Sequence, residues 1–112
     1  MILYIIQKAT PSQVQAMRAE YDLMIKLAVD IRRGVLVGGG EMHSDCEQVL
    51  LENGSEQGDI WGANWYPGEE RIEFEALINV RPSLGNRSMI IQSDDIRRKV
   101  ETVIRGLLGS GK

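Results

Sequence analysis

His43 and Cys46 are the only histidine and the only cysteine in the chain, and Glu41, Asp45 and Glu47 stand among them. Imidazole, carboxylate and thiolate together can hold zinc. The paired spacing of a zinc site is missing, however, and no second His or Cys cluster follows, so no metal or other cofactor is expected. His43 could instead serve Cys46 as base to nucleophile. The neighbouring carboxylates would raise the thiol's pKa, so Cys46 reads as a small packed residue. A small hydrolase or nuclease is the catalytic alternative. There His43 would be the general base, Asp45 its orienter and Arg87 the group that stabilises an anion.

Other residue groups could bind without reacting. Arg81, Asn86 and Arg87 bracket the loop "RPSLGNR", where two guanidiniums and an amide could clamp a carboxylate or phosphate. Asn79 shares a strand face with Arg81. Trp61 and Trp65 fall on one face of a strand that also carries Asn64, and with Tyr66 they could form an aromatic ledge. Asp59 could join His43 if the fold brings them close. Gly38–Gly40 precede the histidine, but no Lys-Ser/Thr pair follows and the dinucleotide spacing is absent. They are expected to mark a backbone corner. Arg97, Arg98, Lys99 and Arg105 suit a solvated helix face.

The elements that must position these residues belong to a chain of 112 residues, 43% apolar, with a formal net charge of −3. That length fits one domain over 1–112, with a frayed tail from about 109. The charge disfavours a general nucleic-acid binder. A lone cysteine implies a reducing, cytoplasmic setting. Ile2–Ile6 is too short for a signal-peptide core, and no apolar run reaches membrane-spanning length.

Ile2–Ile6 reads as a buried strand. Thr10, Pro11 and Gln13 form a capping box opening a helix, whose stripe is Val14, Met17, Tyr21 and Met24. Residues 25–33 fit either a continuation of that helix or a hairpin with "VLVGG", and the hairpin is preferred. "SDCE" could open a helix. The preferred reading is a strand through Val49–Leu51, a turn at Asn53-Gly54 and a return strand over 59–65. "RIEFEALINV" alternates, with Ile72, Phe74, Ala76, Ile78 and Val80 facing the core and Leu77 on the polar side. A short strand over 89–91 follows. Ser93 then caps a last helix with a stripe of Ile96, Val100, Val103 and Leu107. The expected fold is α+β: a mostly antiparallel meander with two helices packed on one face.

Three stretches, "GGGEMHSDCEQVLLENGS", "DIWGANWYP" and "LINVRPSLGNRSMIIQ", together resemble a family of small bacterial proteins catalogued as a domain of unknown function. The resemblance spans Ile25 to Leu108. It implies a cytosolic bacterial protein and carries no catalytic residues across. The residues themselves suggest binding of a small polar or anionic ligand, or of a protein partner, through His43, Asp45, Asp59, Trp61, Asn64, Arg81, Asn86 and Arg87. That reading requires the His43 loop and the 81–87 loop to meet at one edge of the sheet. A structural homo-oligomer, hinted at by Leu77, is the remaining alternative. Nucleic acid and membrane are not expected partners.

Overall fold

The computed structural model describes residues 1–18, 21 and 23–110. Among the described residues five antiparallel strands form one sheet: β1 (Leu3–Ile5), β2 (Ile25–Asp30), β3 (Val35–Gly38), β4 (Ile60–Tyr66) and β5 (Arg71–Glu73). Three α-helices accompany them among the described residues: α1 (Pro11–Met17), α2 (His43–Glu52) and α3 (Asp94–Leu108). The α+β class and the antiparallel sheet match the expectation. The simple meander does not, because the spatial order is β1-β3-β2-β4-β5.

That order explains a second departure. β1 and β2 run parallel with β3 between them, and α1 joins them. β3 and β4 run parallel with β2 between them, and α2 joins them. The two crossovers shift sideways in the same sense along oppositely directed strands. If both take the right-handed route that such connections favour, their helices must fall on opposite faces. They do. α1 and α3 cover Ile5, Leu27, Val29, Leu36, Trp61 and Trp65, while Cys46 and Leu50 of α2 pack on Ala28, Val35, Val37 and Ile60. Two helices on one face is therefore corrected to three helices on two faces.

The residues 25–33 ambiguity resolves as the hairpin of β2 and β3. Asp30 closes its turn, its buried carboxylate accepting from the N–H groups of Arg32 and Arg33 at 2.9 Å each. The preferred strand through Val49–Leu51 is replaced by α2. Cys46, Val49 and Leu50 recur at helical spacing and bury one face, which two-residue alternation could not do. Asn53 and Gly54 consequently end a helix, and the Asn53 amide donates to Val49 O at 2.8 Å. α1 begins with the expected Thr10–Gln13 capping box but stops at Met17. Tyr21, expected on its stripe, lies beyond it and is exposed.

The long strand expected over 71–80 shortens to β5. Past Glu73 the chain turns into a 3-10 turn over Leu77–Asn79. The Asn79 side chain then takes the place of a strand beside β4. It accepts from Gly62 N–H at 2.7 Å and donates to Gly62 O at 3.0 Å. The segment lies so close that a Cβ on Gly62 would sit 2.5 Å from that of Ala76. The expected strand at 89–91 reduces to a single bridge between Glu75 and Ile90. α3 is capped by Ser93, whose hydroxyl accepts from Ile96 N–H at 3.2 Å. Of the expected tail, Gly109 is buried and Ser110 N–H donates to Glu70 at 3.0 Å.

Candidate functional site

β3 leaves the sheet through Gly38–Gly40 and enters α2 directly. Gly39 has φ +97, and a side chain there would strike the Met1 carbonyl. This corner sets His43 at the first turn of α2, above the face of β4 that carries Asn64. Its Nε2 lies 2.7 Å from Asn64 Oδ1 and 3.2 Å from Ala63 O. A backbone carbonyl only accepts, so Nε2 carries the proton. The Asn64 amide nitrogen donates in turn to Glu73 Oε1 at 3.0 Å, and Tyr66 donates to the same oxygen at 3.0 Å. The network thus fixes one tautomer. Burial, aided by the charge of Lys26, holds the His43 pKa below its ordinary value. The ring is neutral near pH 7, and Nδ1 is an acceptor with no partner among the described residues.

His43 lines a cleft of about 470 Å³ together with Lys26, Asn64, Glu75, Leu77 and Met89. Its size falls within the roughly 300–1,000 Å³ of small-molecule sites. Lys26, Asn64 and Glu73 form one cross-strand row on this face. Lys26 Nζ donates to Glu41 O at 3.0 Å. The carboxylate of Glu75 has no partner among the described residues. Met42, Ile78 and Leu77 supply apolar walls, and Leu77 is 73% exposed.

The other expected site residues lie elsewhere or are already engaged. Asp45 turns back to cap its own helix, accepting from Met42 N–H at 3.1 Å, and does not orient His43. Asp59 binds Arg32 at 2.9 Å, at the far end of β4. Trp61 is buried in the core on the opposite face, as is Trp65, so there is no exposed aromatic ledge.

Arg81 does reach α2. Its guanidinium meets Glu47 at 2.6 Å, one turn along from His43, and donates to Gln57 O and Ile60 O at 2.5 Å. Asn86 is buried, and its amide staples the loop by donating to Asn79 O, Ser88 O and Ile90 O. The donors of Arg81 and Asn86 are therefore spent inside the protein, which leaves Arg87 exposed and alone of the anticipated clamp. The 81–87 loop touches α2 at Glu47, while Arg81 and His43 line separate clefts that share Ile78 as a border.

Cys46 is buried, and burial pushes its thiol up to about 11. No three of His, Cys, Asp and Glu converge among the described residues as a metal would require. Lys26, Ser44, Glu75 and Met89 were not among the expected site residues. Strand alternation carried the signal: Lys26, Asn64 and Glu73 occupy the face opposite the large apolar side chains.

Among the described residues no helix is long and apolar enough to cross a membrane. No curated protein and no solved structure matches the chain. A family model described as a protein of unknown function (DUF5674) matches residues 3–107. With that match over nearly its whole length, the chain belongs to the DUF5674 family.

Proposed function

We propose that this protein binds a small molecule in the His43 cleft, and that His43 Nδ1 accepts a hydrogen bond from it. One observation carries the reading. A neutral imidazole is anchored through Nε2 on two acceptors, its other nitrogen has no partner among the described residues, and the residue lines a cleft with apolar walls. Orienting a ring this way costs side-chain freedom, and a fixed acceptor beside apolar surface suits orientation of a ligand. The free, buried thiol of Cys46 fits a reducing compartment, so a cytoplasmic setting belongs to the same proposal.

Phenol and indole are suitable first probes, being neutral, apolar and able to donate one hydrogen bond. Each is titrated into the labelled protein while backbone amide shifts are followed by NMR. The expected result is perturbation centred on His43, Asn64, Leu77 and Ile78, lost in His43→Phe. Shifts confined to other surfaces, or none, would end the proposal.

A second reading has its own observation. Met42, Leu77, Met89 and Ile90 are exposed around the cleft, a setting that would also receive an apolar side chain of a protein partner. It predicts that the small probes bind without discriminating between wild type and His43→Phe.

A further inference from the structure

The walls of this cleft carry opposite charges, and neither is neutralised by an ion pair among the described residues. On one side stands Lys26, whose ammonium donates to the Glu41 carbonyl and lies 4.8 Å from the Tyr21 ring centroid. On the other stands Glu75. Glu73, next to it on the same face, is by contrast consumed by Asn64, Tyr66 and Arg71. Between the charges lie the neutral acceptor His43 and apolar side chains.

We infer that the ligand of the cleft is a zwitterion with an apolar body, of the size of a free amino acid or a dipeptide. This rests on the binding reading given above. The ammonium would meet Glu75 and donate to His43 Nδ1. The carboxylate would meet Lys26. The apolar side chain would lie against Leu77, Ile78 and Met89.

Lys26 on β2 and Glu75, two residues beyond the end of β5, border the cleft from either side of β4. A cleft of about 470 Å³ accommodates a molecule of the size of an amino acid or a dipeptide. A purely anionic ligand would meet Glu75, and a purely cationic one would meet Lys26. The zwitterion is the charge pattern that leaves neither wall opposed.

The test titrates leucine and leucyl-leucine into the labelled protein, beside N-acetyl-leucine and leucinamide. The free zwitterions are expected to perturb His43, Asn64 and Leu77. Capping either charge is expected to weaken binding about tenfold or more. Glu75→Gln should bring leucyl-leucine down towards its N-acetyl form while leaving that form's binding unchanged. Lys26→Met should do the same with respect to the amide. Equal binding of capped and free forms would overturn the inference. So would silence from every zwitterion while phenol still binds at His43, which would leave the broader binding reading intact. Silence from phenol as well would remove both.

Discussion

Asn64 bridges His43 and Glu73: its carbonyl oxygen receives the imidazole Nε2–H at 2.7 Å, and its amide nitrogen donates to the carboxylate at 3.0 Å. A neutral amide here separates a buried ring from a negative charge. Burial holds the His43 pKa down, and burial is not opposed by an adjacent carboxylate. Had β4 carried Asp at this position, the imidazolium would have gained a direct partner.

Asn64→Asp should therefore raise the His43 pKa by about 1–3 units, the effect of an opposite charge at contact distance. The new carboxylate also loses the bond to Glu73, so some loss of stability accompanies the shift. Titration of the imidazole ring by NMR reads the pKa directly. An unchanged value would mean that Asn64 does not govern the ring.

The stability of the protein should depend on His43 in a defined pH window. The folded-state pKa lies below the unfolded value of 6.5, so between the two the unfolded chain binds the proton and the folded chain does not. Stability is present above the unfolded pKa and declines as pH falls through the window. Lys26 disfavours the imidazolium, while the bonds to Asn64 and Ala63 O favour it. Glu73, whose pKa is lowered chiefly by its bond from Asn64, loses its own contribution at lower pH, below 4.5. Urea unfolding from pH 7 to 5 separates the two. His43→Gln should flatten the slope over that range, and an identical slope in both proteins would refute the assignment.

How much of this was legible in the sequence depends on the range of the forces involved. The β2–β3 hairpin, the Thr10 capping box and the Ser93-capped helix were readable because local chemistry specifies them. α2 was misread because Val49–Leu51 looks like a strand until the opposite sheet face is known to need a cover. β5 was overextended for a related reason. Its alternation is real, but Asn79 displaces the strand by bonding Gly62, a contact 17 residues away in sequence. His43 and Asn64 stand 21 residues apart, and only the packing of α2 on β4 brings them into contact. Asp45 stands near His43 along the chain, but the helix cap claims its carboxylate. Arg81 and Asn86 look like free donors in sequence because the carbonyls Gln57 O and Ile60 O reach Arg81 from another segment, and those that take the Asn86 amide converge only once the loop folds around it.

Asn79 offers a test of that displacement. Its side chain satisfies both backbone groups of Gly62 and also donates to Met89 O at 3.1 Å. Asn79→Ala leaves these buried groups without a partner, at about 1–3 kcal/mol for each one left unsatisfied. A total loss of at least about 2 kcal/mol is expected from denaturant unfolding. Asn79→Asp keeps the acceptor for Gly62 N–H and loses the donor for Gly62 O and Met89 O, so it should not restore stability. A loss under about 0.5 kcal/mol, the usual size for a surface change, would show that Asn79 is no substitute strand.

Arg81 ties the 81–86 loop to α2, and the loop bears the segment that walls the cleft. Its side chain is 10% exposed and that of Glu47 13%, so the pair is largely shielded from water. Removing one partner of a fully buried pair costs about 3–5 kcal/mol. With the residual exposure here, Arg81→Ala is expected to cost about 2–3 kcal/mol, below that range. Arg81→Lys keeps the charge but cannot reach Glu47, Gln57 O and Ile60 O from one planar fork, so it should recover less than half of the loss. Combining Arg81→Ala with Glu47→Ala in a double-mutant cycle separates the ion pair from the carbonyl contacts. A coupling energy near zero would assign the latch to the two carbonyls alone. A coupling of 1 kcal/mol or more would place Glu47, and through it α2 and His43, in direct mechanical contact with the loop.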